Sequence, residues 1–185
     1  MKVALVIGHR PLDPGAVNED HGITEFEFNK VLAEHVYMLL TERGLHTQIV
    51  YRQDLQTLPR RLNDEIMPDF IVSLHCNAYP ERPGEREATG TEVLYYRTSE
   101  RGKEMAAIMQ RKLVKALLLR DRGIQPKRSE DRGGYLLRYT QAPCIICEPF
   151  FLDNDNDLAV TRKNYDALVS AYVDGIEEIA GVMHG

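Results

Sequence analysis

An α/β architecture, a mostly parallel twisted sheet with helices on both faces, is predicted by three apolar runs that alternate with helical stretches. The runs are Lys2–His9 (KVALVIGH), Asp69–Ala78 (DFIVSLHCNA) and Pro143–Glu148 (PCIICE). Each is too short for a free-standing helix and rich in β-branched residues, the composition of a strand buried on both faces. Each also runs out onto a polar side chain: His9, His75 (with Cys76 and Asn77) and Glu148. In open α/β sheets, ligands and chemistry collect at the carboxyl ends of the strands. The three endings therefore point to one convergent site.

The remaining elements follow in chain order. Pro11, Pro14, Gly15 and Gly22 make His9–Ile23 a loop. Thr24 and Glu27 form a T-x-x-E capping box that opens a helix over Glu25–Arg43, with Phe28, Val31, Leu32, His35, Leu39 and Leu40 on its apolar stripe and Gly44 as its stop. Leu45–Tyr51 reads as a strand and Gln56–Met67 as a short helix closed by Pro68. Tyr79–Gly90 is a charged loop, Thr91–Arg97 a strand, and Ser99–Arg120 a long helix with Met105, Ile108, Met109, Leu113, Ala116 and Leu117 inward. Asp121–Gly134 is expected to be irregular, Tyr135–Arg138 to lead into the third apolar strand, and Leu158–Met183 to form one final helix with Tyr165, Leu168, Tyr172, Ile176 and Ile179 on one face. Strands alternating with helices give a single-domain, three-layer sandwich.

Composition is consistent with this. The chain has 185 residues, 43% apolar and 28% charged, enough for one domain with a sizeable core. No stretch approaches the roughly 18 consecutive apolar residues of a membrane span, and MKVALVIG runs into GHRPLDPG without a secretory cleavage pattern. Three cysteines in a chain of this length read as reduced thiols. The net charge of −5 conceals a basic segment, residues 100–138, with eleven Lys/Arg against five Asp/Glu. A solvated helix face explains that segment more economically than a polyanion site.

The chemistry gathers on four residues. A catalytic zinc takes three protein ligands, commonly His and carboxylate, and keeps one open position. His9 and His75, at the ends of neighbouring strands, could supply two imidazoles, and Glu25, at the start of the helix after the His9 loop, the carboxylate; on residue type alone, hydrogen-bonded histidines and a Glu that complements the helix dipole are the commoner reading. Glu27 serves the helix cap, which leaves Glu25 without a capping duty. Glu148 is a further carboxylate at the same edge, placed for general acid/base work beside such a metal. A structural reading of Glu148 pairs it with Arg138 instead.

GHRPLDPGA at 8–16, TEFEFN at 24–29, SLHCNA at 73–78 and PCIICEPFFLDN at 143–154 together resemble the zinc-dependent N-acetylmuramoyl-L-alanine amidase family. The likeness extends through Gly44, Tyr51-Arg52, Gly90–Tyr95 and Arg122-Gly123, and so over nearly the whole chain. It implies that residues 1–185 are one amidase catalytic domain. By that resemblance Zn2+ is bound by His9, Glu25 and His75, and Glu148 is the catalytic carboxylate. The substrate it implies is bacterial peptidoglycan, cut between the lactyl group of N-acetylmuramic acid and L-alanine. The expected setting is a monomer acting on the cell wall without nucleic acid or membrane, either a phage lysin or a bacterial amidase whose signal has been removed. Arg10-Pro11 stand where the family has a second Gly, Cys76 where it has Ala, and Phe26 where it has Lys, departures that bear on substrate preference.

Other readings fare worse. Pro143-Cys144-x-x-Cys147 is half of a zinc deaminase signature, but no His supplies the H-x-E half, and residues three apart on a strand face opposite ways. Asp153–Asp157 has the acidic spacing of a calcium loop without its Gly and Glu, and is expected to cap a helix. His21, His35, His46 and His184 are read as surface or packing residues. A non-catalytic wall-binding module on the same fold, or a zinc peptidase acting on ordinary peptides, remains the alternative function.

Overall fold

The apolar runs lie side by side in the middle of one sheet. The computed structural model describes residues 1–79 and 88–184, the side chain of His184 excepted. In chain order the elements are β1 (Lys2–Ile7), β2 (Val17–Asn18), β3 (Ile23–Thr24), α1 (Glu25–Glu42), β4 (His46–Tyr51), α2 (Leu58–Arg61), a π-helical turn (Leu62–Ile66), β5 (Phe70–Leu74), β6 (Thr91–Tyr96), α3 (Glu100–Leu117), β7 (Asp121–Lys127), α4 (Gly134–Tyr139), β8 (Cys144–Glu148), α5 (Asp155–Lys163) and α6 (Tyr165–His184). Six strands pair in the order β4-β1-β5-β8-β6-β7. All neighbours are parallel except β6 and β8, which run antiparallel. The start of β6 therefore lies at the edge where β1, β5 and β8 end.

Alternate residues of the central strands feed two apolar layers. Leu5, Ile7, Phe70, Val72, Leu74, Ile145 and Cys147 pack with side chains of α1, α3 and α6 on one face. Ala4, Val6, Ile71, Cys144 and Ile146 pack with α2, the π-helical turn and α4 on the other. Cys144 and Cys147 thus sit on opposite faces, as residues three apart on a strand must, and all three cysteines are free and buried. Among the described residues no helix is long and apolar enough to cross a membrane.

Some expectations need correction. Asp121–Lys127, expected to be irregular, is the edge strand β7; its polar composition reflects solvent on its open side, and Pro126 is tolerated because an edge strand need not donate outward. Tyr135–Arg138, expected only to lead into the third apolar strand, does so as the helix α4. The single final helix is two, since α5 closes at Asn164, whose side chain bonds back to the Val160 carbonyl at 2.9 Å. On α1 the inward face is Phe26, Phe28, Asn29, Leu32, Ala33, Val36 and Leu40, and Val31 is exposed. The capping box is half formed: Thr24 Oγ1 accepts from the Glu27 amide at 3.2 Å, while the Glu27 carboxylate accepts from the Thr24 hydroxyl rather than from a backbone donor. Of the charged loop Tyr79–Gly90, positions 80–87 lie outside the described residues.

The Asp153–Asp157 turn caps α5 through Asn154, as expected. Its last residue has a larger duty. Asp157, 1% exposed, accepts from Thr89 Oγ1 at 2.5 Å, from the Gly90 amide at 3.1 Å and from the Phe151 amide at 3.1 Å. It ties the entry to β6 to the exit from β8. Removing a buried carboxylate strands those three donors, so Asp157→Ala should lower the unfolding free energy by roughly 2–4 kcal/mol. Urea unfolding measures it, and a loss below about 0.5 kcal/mol, the range of ordinary surface changes, would show that the tie is dispensable.

Candidate active site

Each site residue is placed by the end of an element. β1 stops at Ile7, and two residues later His9 takes a left-handed backbone, φ 66°, that turns its ring back over the sheet edge. The loop to α1 is pressed tightly against this edge. A Cβ on Gly8 would lie 2.6 Å from His75 Nδ1, and one on Gly15, where φ is +79°, would lie 2.6 Å from His9 Cδ2 and strike the Glu25 carboxylate. Backbone bonds from Glu25 N to Ala16 O (2.8 Å) and from Phe26 N to Pro14 O (3.0 Å) seat the helix on the loop. Arg52 anchors it from β4's end by an ion pair with Asp13 at 2.6 Å, and Arg10 does so by donating to Gln53 O at 2.7 Å.

His9, Glu25 and His75 converge. One ligand atom from each lies within 4.8 Å of the other two. Glu25 Oε1 is 2.9 Å from His75 Nδ1, and Glu25 Oε2 is 3.3 Å from His9 Nε2. The Glu25 carboxylate is fully buried and also accepts from the amides of Cys76 (3.0 Å) and Ala16 (2.9 Å). Burial alone would push its pKa up; the His75 hydrogen bond, the two imidazoles and the Ala16 amide outweigh burial and bring it to about 2. His9 is held below its ordinary value, chiefly by burial, and its Nδ1 is buried with no hydrogen-bond partner among the described residues. Two imidazoles facing a carboxylate that stays ionised form a mixed nitrogen and oxygen donor set suited to a divalent cation. The spacing matches an ion about 2 Å from each donor.

Glu148 closes β8 at the same edge and is 4% exposed. Burial is the main cause that raises its pKa, to about 7; Arg132 and His75 oppose the rise and Glu92 adds to it. Arg138, the partner considered from sequence, lies instead over the rings of Tyr96 and Tyr139. The neighbour that sequence reasoning missed is Glu92, opposite Glu148 in the antiparallel register and held by Asn77 Nδ2 and Arg122 Nε, each at 2.8 Å. An acidic residue inside the otherwise apolar TEVLYY strand was the available signal. Beside these groups opens a cavity of about 140 Å³, walled by Leu55, Leu58, Leu94 and Ile146 and bordered by His9, His75, Glu148, Arg52 and Arg132.

His35 and His21 stay out of the site. His35 Nδ1 meets the Tyr165 hydroxyl at 2.9 Å, and His21 lies 3.7 Å from Asp155.

The chain is 30% identical over 179 residues to the uncharacterised protein YqiI of Bacillus subtilis (strain 168), spanning 92% of this chain and 80% of that protein. It is 26% identical to the endolysin of Bacillus phage SPP1, over 96% of this chain but only 65% of the phage protein. The crystal structure of an N-acetylmuramoyl-L-alanine amidase from Clostridium difficile 630 superposes with a TM-score of 0.83 at 24% identity, covering 97% of this chain and 96% of that one. The N-acetylmuramoyl-L-alanine amidase family model matches residues 3–178, and the chain belongs to that family.

Proposed function

We propose that the chain hydrolyses peptidoglycan as a zinc-dependent N-acetylmuramoyl-L-alanine amidase, with His9, Glu25 and His75 as metal ligands and Glu148 as the proton-transfer group. The observation that carries this reading is the His9–Glu25–His75 cluster, built on a fully buried carboxylate, with Glu148 at the same sheet edge. Two imidazoles and one carboxylate are a ligand set of catalytic zinc, which leaves a fourth position open. Zinc, when bound, polarises a carbonyl oxygen and lowers the pKa of water.

The chain's own residues would do the rest. Glu148 takes the proton of the water that attacks the lactyl carbonyl carbon. It then delivers that proton to the L-alanine nitrogen as the carbon–nitrogen bond breaks. The products are the lactyl carboxylate on the glycan and a stem peptide with a free amino terminus. A pKa near neutrality suits a group that must both accept and donate. The apolar cavity beside Glu148 suits the methyl groups that flank the scissile amide on the lactyl and alanyl sides. A non-catalytic wall-binding module would have no use for a buried carboxylate held near its titration point.

Purified peptidoglycan digested with the chain should yield stem peptides with new L-alanine amino termini and uncut glycan strands by mass spectrometry. New reducing ends, or cleavage confined to bonds within the stem, would contradict the assignment. The purified protein should hold about one zinc per chain, and His75→Ala should lose most of it by elemental analysis. Glu148→Gln should keep the metal while activity drops by roughly two to four orders of magnitude.

Glu148 also predicts a pH signature in the metal-free protein. Its folded pKa, about 7, lies above the ordinary 4.5, so the folded chain keeps a proton that the unfolded chain releases. Stability is then lost as pH rises from about 4.5 through 7, and the loss is complete above that range. Glu148→Gln cannot ionise and should gain on the parent across this window, by at most on the order of 3 kcal/mol. Thermal unfolding at pH 5 and pH 8.5 reads the difference; an equal gap at both would refute it.

A further inference from the structure

We infer that Glu92 is a positioning residue for Glu148, gripping its carboxyl from the adjacent strand while Asn77 and Arg122 hold Glu92 in turn. The inference rests on the reading of Glu148 as the proton-transfer group. β6 is the one strand of the sheet that meets β8 antiparallel, and the register sets Glu92 directly opposite Glu148. Directly opposed residues bring their Cβ atoms to about 4.5–5.5 Å, which puts the two carboxyls within reach of each other. Two ionised carboxylates so placed would repel, whereas one shared proton turns the contact into a bond.

The supports of Glu92 decide which partner is fixed. Its Oε1 accepts from Asn77 Nδ2 and its Oε2 from Arg122 Nε, both at 2.8 Å. Both donors are N–H groups, so Glu92 is held as their acceptor, and the carboxyl that bonds to it is Glu148 in its acid form, the form that delivers a proton to the leaving amine. Neither support is loose. The Arg122 guanidinium lies 5.0 Å over the Phe151 ring. Asn77 is bound through its backbone at both ends, donating to Phe150 O and accepting from Leu152 N at 2.9 Å each. Phe150–Leu152 follow β8 directly, so the segment that ends in Glu148 also braces the residues that hold its partner. Asn77 in turn stands two residues after the ligand His75. Glu148 is thus fixed on the Glu92 side, and its remaining face borders the cavity shared with His9 and His75.

A double-variant cycle on the metal-loaded full chain, assayed on a defined muropeptide, tests this. Glu92→Ala should lower kcat by roughly 10²-fold, with KM little changed and zinc content at the parental level. Glu92→Gln, which can still accept from Arg122 and donate to Glu148, should recover much of that loss. In a Glu148→Gln background, Glu92→Ala should cost almost nothing more, because the group through which Glu92 acts is already disabled. Should Glu92→Ala not fold, Glu92→Gln carries the same test: its smaller loss in kcat should vanish in the Glu148→Gln background. Equal losses in the two backgrounds, or a folded Glu92→Ala chain at the parental kcat, would overturn the proposal alone. A Glu148→Gln chain at the parental rate would overturn the reading of Glu148 and this proposal with it.

Discussion

The Glu25 carboxylate is the constraint on which the rest of the active edge depends. A fully buried anion costs several kcal/mol unless it is surrounded by compensating donors. Here the compensation comes from three separate places: the Ala16 amide in the first loop, the Cys76 amide beyond β5, and the rings of His75, in hydrogen-bond contact, and His9, 3.3 Å away. Satisfying one carboxylate therefore fixes the path of the loop from His9 to Ala16, the seat of α1 and the exit of β5. The glycines answer to the same crowding, since Gly8 and Gly15 leave no room for a Cβ against His75, His9 and Glu25. The ion pair of Arg52 with Asp13 then staples the loop to the end of β4.

Topology supplies the second half of the site. In an all-parallel sheet, every strand would begin at the edge opposite the ligands. Because β6 meets β8 antiparallel, its first residues arrive at the ligand edge and bring a second buried carboxyl against Glu148. Two carboxyls in one apolar setting settle into unlike roles by their surroundings. Glu25 lies among donors and stays ionised, while Glu148 lies among apolar walls and beside another acid, and is held near neutral pH. One edge thus carries an ionised carboxylate and a carboxyl that titrates near neutral pH, the pair that the proposed roles in holding a cation and moving protons require.

The central strands and the four leading site residues were legible in sequence for one reason: buried strands read as apolar runs, and a polar residue that ends such a run has few structural uses. His9, His75 and Glu148 stand out in this way, and Glu25 stands out because Glu27 already serves the cap. Glu92 was hidden because its meaning depends on which strand pairs with which, and the antiparallel pairing of β6 with β8 leaves no local trace. The role of Arg122 was hidden with it, inside a polar edge strand that resembles a loop. The break at Asn164 was invisible because a single Asn interrupts a helix without Gly or Pro and leaves the apolar stripe in phase. Arg52 and Arg132 border the cavity from positions whose side-chain directions only the tertiary packing decides.

The central claim is that His9, Glu25 and His75 together hold a zinc ion beside Glu148. Anomalous diffraction from crystals of the zinc-loaded protein, recorded on both sides of the zinc absorption edge, addresses it directly. The account predicts a single strong peak about 2.0–2.2 Å from a nitrogen of each imidazole and from a Glu25 oxygen, with Glu148 outside the coordination sphere. A peak bonded to Glu148 in place of Glu25, or one at any other cluster, would contradict it.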